Sequence, residues 1–82
     1  MYFTYILQSQ KTSGYYIGYT SNIDERLVRH NSGRNRSTKR GMPWKLIHCE
    51  NYKDKILAMR REREIKSYKG GDAFRNLIKN CI

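Results

Sequence analysis

Residues 2–7 and 15–20 are rich in aromatic and β-branched side chains, which suit a pleated surface, and both read as strands. Between them runs Gln8-Ser9-Gln10-Lys11-Thr12-Ser13-Gly14, a polar connector of hairpin length, so the pair forms an antiparallel β-hairpin. Side chains alternate across a strand. Phe3, Tyr5 and Leu7 therefore share one face of the first strand; in the second, Tyr16, Gly18 and Thr20 share a face and Tyr15, Ile17 and Tyr19 lie opposite.

The period changes after Thr20. At about 100° per residue, Ile23, Arg26, Leu27 and His30 fall on one side of a helix. Ser21 or Asn22 is its N-cap, Asp24 and Glu25 suit the dipole of its first turn, and Asn31-Ser32-Gly33 ends it. Arg26 and His30 thus border the apolar stripe, where a purely structural helix more often carries Ala or Leu. A basic connector spans residues 33–43, and residues 44–52 read as a third strand. Asp54 begins a second helix reaching about Tyr68, with Leu57, Ala58, Ile65 and Tyr68 as its buried stripe. Glu62 and Glu64 border that stripe on opposite sides. Gly70-Gly71 breaks the chain, and Asp72 caps a last short helix with Phe74, Leu77, Ile78 and Cys81 inward. The order is ββαβαα without internal repeats: one α+β domain over residues 1–82, a three-stranded antiparallel β-sheet flanked by helices.

Size and charge narrow the function. A chain of 82 residues buries a modest share of its surface. No apolar run of about 18 residues exists to span a membrane, and the N-terminus lacks the charged start and cleavage site of a signal peptide. Cys49 and Cys81 are too few and too far apart for a zinc framework and read as buried or half-buried free thiols of a reducing compartment, which makes the cytoplasm the expected location. Lys and Arg number 17 against 7 Asp and Glu, a net charge of +10. Such a field concentrates polyanions and names a partner class, nucleic acid, without naming an activity. Within the connector, Arg34, Arg36, Lys39 and Arg40 are the residues expected to follow a phosphate backbone.

Several chemistries are missing. None of the seven acids pairs in the manner of two-metal nucleases, and His30 and His48 sit on different elements. There is no phosphate-binding glycine loop and no strong Ser-His-Asp candidate. A hydrolase built from this chain must work with Tyr, Arg, His and one carboxylate.

Those residues carry a resemblance. Tyr5 precedes Tyr16-Ile17-Gly18; Arg26 and His30 follow one helical turn apart; Glu62 lies on the later helix in Ala58-Met59-Arg60-Arg61-Glu62. In this order the set resembles the GIY-YIG nuclease superfamily, and is most similar to its short stand-alone branch, over residues 2–68. The first motif departs from the pattern: Phe3-Thr4-Tyr5 keeps only the tyrosine of GIY. For the late Asn of some members, Asn76 and Asn80 are both open and neither is assigned.

The resemblance implies a DNA endonuclease, with RNA also accepted, that uses one divalent metal (Mg²⁺, with Mn²⁺ as an alternative) and no small-molecule cofactor or membrane. It implies Tyr5 as general base with Tyr16 beside it, Arg26 gripping the scissile phosphate through its bidentate fork, Glu62 holding the metal, and His30 binding phosphate or assisting proton transfer. An unperturbed phenol titrates near pH 10, so nearby cations are expected to make Tyr5 useful. Helical geometry alone does not separate Glu62 from Glu64; only the resemblance favours Glu62. The alternative is a binding module of the same fold without activity.

Overall fold

The computed structural model describes residues 1–79. Cys81, expected to face inward, and Asn80 lie outside the described residues. β1 (Tyr2–Ser9) pairs antiparallel with both β2 (Tyr15–Thr20) and β3 (Trp44–Tyr52), so the strand order is β2-β1-β3. α1 (Ile23–Asn31) precedes a single 3-10 turn (Lys39–Gly41); α2 (Lys55–Ser67) and α3 (Asp72–Lys79) follow β3. This is the expected α+β order.

The central position of β1 explains why Thr4, Tyr5, Ile6 and Leu7 are all buried. A strand covered on both faces cannot alternate inside with outside. On the Ile6 face, Ile6, Ile65 and Phe74 form the apolar centre, with Ile17, Ile47, Tyr68, Leu77 and Ile78 packed around it. The Thr4 hydroxyl donates to the Ala58 carbonyl at 2.8 Å and ties α2 to the same face. On the other face, Tyr5 meets His30 of α1.

β1 runs to Ser9, two residues beyond the expected end, because Ser9 organises the turn. Its hydroxyl accepts from the amides of Lys11 and Thr12 and donates to the Gly41 carbonyl at 2.6 Å. At α1 the choice between Ser21 and Asn22 falls to Asn22, whose Oδ1 accepts from the Glu25 amide at 3.0 Å. Asp54 occupies the N-cap of α2, but its side chain makes no capping bond. Leu57 corrects the expected buried stripe: it is 42% exposed, while Ala58 and Ile65, two turns apart, are fully buried. The helix meets the sheet along the Ala58–Ile65 line, and Leu57 sits one residue off it.

α2 is clamped to β3 by Glu50. Arg61 donates to its two oxygens at 2.8 and 3.0 Å, Tyr52 donates to Oε1, and the His48 ring lies 2.6 Å from Oε2. Burial alone would raise this carboxyl, but the hydrogen bonds from Arg61, Tyr52 and His48 reverse the effect and hold it down at about 2. The sign follows from linkage. Above the ordinary value of 4.5 both folded and unfolded forms are ionised and the stabilisation is complete; it fades as pH falls toward about 2. Glu50→Gln is therefore expected to lose roughly 3 kcal/mol at neutral pH, a deficit that closes as acid is added. Urea unfolding of both forms between neutral pH and pH of about 2 measures the convergence; parallel curves would remove Glu50 from the clamp.

Candidate active site

Tyr5 and Gly18 stand opposite each other in the β1–β2 ladder. The Tyr5 ring lies directly over Gly18: a Cβ built there would meet Tyr5 Oη at 2.7 Å and Cζ at 2.9 Å. The third residue of Tyr16-Ile17-Gly18 must be glycine because its partner strand lays a phenol across it. Gly18→Ala must push a buried aromatic or the strand backbone, an overpacking cost of about 1–3 kcal/mol. Urea unfolding reads that loss, and an unchanged midpoint would contradict the ring placement.

Tyr16, on the same face, has its ring centroid 6.3 Å from that of Tyr5 and 4.7 Å from that of His30. Tyr5 Oη lies 3.1 Å from His30 Nε2, and His30 Nδ1 lies 2.9 Å from Thr38 Oγ1. His30 and Thr38 are both 0% exposed. His30 is not among the residues that line the adjacent pocket and stands behind Tyr5.

A pocket of about 360 Å³ opens in front of the tyrosines. Its walls include Tyr5, Tyr16, Gly18, Arg26, Lys55 and Glu62. They come from β1, β2, α1 and α2, brought together beside the outer strand β2. The Nε of Arg26 is buried and has no hydrogen-bond partner among the described residues. An unsatisfied guanidinium N–H in a polar pocket is costly unless an anion accepts it.

Glu62 and Glu64 separate here. Glu62 lines the pocket, its side chain 16% exposed and paired with Lys66. Glu64 is 56% exposed and bonds Arg61 at 2.7 Å, on the β3 side of the helix. Among the described residues no three His, Cys, Asp or Glu side chains gather as a metal cage. The donor set is one carboxylate with phenol and hydroxyl oxygens, all hard. Hard oxygen donors of this kind suit a divalent ion such as Mg²⁺.

Tyr5 departs from expectation in its acidity. Burial, with Tyr16 adding to it, outweighs the lowering effect of Arg26 and pushes the phenol up to about 12. His30 moves the other way: burial, then the charges of Arg26 and Arg29, lower it and favour the neutral ring.

Arg34, Arg36, Lys39 and Arg40 do not line the pocket. All four point to solvent, while Thr38 among them is buried and the Trp44 indole donates to its carbonyl at 2.7 Å. The segment is pinned at its centre with its cations outward. Asn76 is exposed on α3 and lies outside the pocket walls. Lys55 is the pocket cation that sequence reasoning missed, and Tyr2 and Tyr19 also line the pocket without having been singled out. For Lys55 a signal was present: it occupies the first turn of α2, where no acid stands and a cation opposes the helix dipole. It makes no ion pair among the described residues.

Comparison with known proteins bears on the family and the fold. The family model described as the GIY-YIG catalytic domain matches residues 1–72. A UPF0213 protein of Staphylococcus haemolyticus is 38% identical over 68 residues, covering 82% of each chain. One of Natronomonas pharaonis is 43% identical over 53 residues, covering 63% of this chain and 62% of that relative's length. The solution NMR structure of a UPF0213 protein of Bacillus halodurans superposes with a TM-score of 0.60 at 29% identity, over 99% of this chain and 87% of that one.

Proposed function

The chain belongs to the GIY-YIG catalytic-domain family, and from that premise we propose that it is a divalent-metal-dependent endonuclease hydrolysing phosphodiester bonds in DNA. One observation carries the reading: the phenols of Tyr5 and Tyr16, the Arg26 guanidinium with its buried orphan N–H and the Glu62 carboxylate all wall the same pocket.

Arg26 takes the scissile phosphate through the N–H that lacks a partner, and its planar fork fixes the phosphate's orientation. Lys55 and the outward cations Arg34, Arg36, Lys39 and Arg40 hold flanking phosphates as solvated point charges. Tyr16 orients the attacking water, and Tyr5 receives its proton. Glu62 would hold Mg²⁺, or Mn²⁺ in its place, and the ion would supply charge compensation at the scissile phosphate and its leaving oxygen. Glu62 must release Lys66 to do so, a small cost for a pair whose lysine is 54% exposed.

A domain this small has little surface for base reading, so cutting is directed by DNA structure more than by sequence, with RNA also accepted. The described residues contain no helix long and apolar enough to cross a membrane. The net charge of +10 is what favours nucleic acid as the partner. The test is incubation of the purified chain with duplex, flapped, branched and single-stranded oligonucleotides, with Mg²⁺ and with chelator. Metal-dependent products with defined ends are expected. Salt-sensitive binding without products on every substrate would leave the inactive binding module.

A further inference from the structure

Thr38 has no part in the roles above, yet its hydroxyl ends a buried chain of polar contacts that starts at the catalytic phenol. Tyr5 Oη is 3.1 Å from His30 Nε2, His30 Nδ1 is 2.9 Å from Thr38 Oγ1, and Thr38 Oγ1 donates to the Asn35 carbonyl at 3.4 Å. His30 and Thr38 are 0% exposed, so water does not compete for the ring nitrogens; Tyr5, 1% exposed, meets water only where it lines the pocket.

Counting protons limits the chain to two directions. A threonine hydroxyl has one hydrogen and two lone pairs; a neutral imidazole has one N–H and one acceptor nitrogen. A carbonyl only accepts, so a Thr38 hydrogen turned toward the Asn35 carbonyl, a long contact at 3.4 Å, leaves the hydroxyl a lone pair for His30. In that arrangement Nδ1 carries the ring proton; the reverse arrangement, with Thr38 donating to Nδ1, puts it on Nε2. With the proton on Nδ1, Nε2 is left as an acceptor, and the Tyr5 hydroxyl donates to it.

We propose that Thr38 is a positioning residue that holds His30 as the Nδ1–H tautomer, so that the Tyr5 phenol donates to Nε2 and passes its proton that way during cleavage. The tautomer stands on this geometry alone; its consequence for cleavage rests on the nuclease reading. In that step the water oxygen bonds phosphorus, and its proton goes to Tyr5 Oη. The proton that Tyr5 carried moves to Nε2, and the bond from phosphorus to the leaving oxygen breaks. Solvent protonates the leaving oxygen. The His30 imidazolium, sealed from solvent, returns its proton through Tyr5.

The backbone of Thr38 is held independently of its hydroxyl: its amide bonds Asn35, and its carbonyl accepts from Gly41 and from Trp44. Thr38→Val therefore removes the hydroxyl at nearly constant shape, and Thr38→Ser retains it. The experiment is ¹⁵N NMR of the histidine rings, in a chain with only His30 and His48 to assign, paired with cleavage kinetics. The wild type and Thr38→Ser are expected to show the Nδ1–H tautomer at His30, and Thr38→Val the Nε2–H tautomer. In cleavage, Thr38→Val is expected to lose about 10²-fold in kcat with KM unchanged, since a misoriented ring fails in chemistry and not in binding. Thr38→Ser restores kcat. An Nε2–H ring in the wild type overturns the proposal even if Thr38→Val fails to fold, and so does an Nδ1–H ring surviving in Thr38→Val. If the wild type cleaves nothing, the spectrum still decides the tautomer, and the failure belongs to the nuclease reading.

Discussion

Glu62→Gln is expected to lower Mg²⁺-dependent cleavage by about 10³-fold or more while leaving the fold intact. Glu62 is the only acid among the residues that line the pocket. Gln keeps its volume and one oxygen but removes the charge that a hard divalent ion requires. Stability should hardly move: the ion pair lost is the i, i+4 contact with Lys66, worth about 0.3–0.5 kcal/mol on an exposed helix face. Glu64→Gln is the matched control, two residues away, outside the pocket and bonded to Arg61. Cleavage rates at saturating and limiting Mg²⁺, with thermal melts of both variants, measure the split. Equal activity in the two variants would reduce Glu62 to a surface partner of Lys66 and remove the metal site.

Tyr5→Phe comes next in size, with kcat expected to fall by roughly 10²–10⁴-fold and the substrate Kd nearly constant. The phenol is pushed up to about 12, so a buried Tyr5 does not persist as an anion at neutral pH. It acts only while a proton is in transit, which makes the hydroxyl and its contact with His30 indispensable. Removing it also leaves His30 Nε2 buried without a partner, a cost of about 1–3 kcal/mol. Single-turnover cleavage beside filter binding and urea unfolding separates the two effects. Loss of stability with full retention of kcat would make Tyr5 a cross-strand aromatic and nothing more.

The two predictions probe opposite sides of one pocket. Tyr5 is sealed against Gly18 and backed by His30 and Thr38; Glu62 arrives from α2, which packs on the sheet face opposite α1. The clamp of Arg61 on Glu50 holds α2 to β3, next in sequence to the residue that must point the other way. Stability of that clamp and presentation of Glu62 are thereby linked through one helix.

Local sequence was enough for the elements and for much of the site. Side chains in a strand or helix repeat with a period that neighbouring residues set, so both hairpin strands, α1 with Arg26 and His30 on one face, and the glycine break before α3 could all be read along the chain. That residue 18 must be glycine was not legible along the chain, because the ring lying over it belongs to the facing strand. Long-range pairing settled the rest. That β1 sits in the middle, and so buries Thr4 and Ile6 as well as Tyr5 and Leu7, depends on β3 arriving more than forty residues later. Leu57 turned outward because the line of contact with the sheet passes through Ala58, which no periodicity within α2 specifies to one residue. Glu62 and Glu64 are equivalent on a helical wheel until the sheet gives the helix two different neighbours, a pocket and Arg61. Thr38 read as part of a solvated basic stretch, and Lys55 as one cation among many, because a hydroxyl or an ammonium acquires chemistry only from what lies across from it. Periodicity is local and survives in a linear chain; convergence of groups from four elements exists only after the chain has closed on itself.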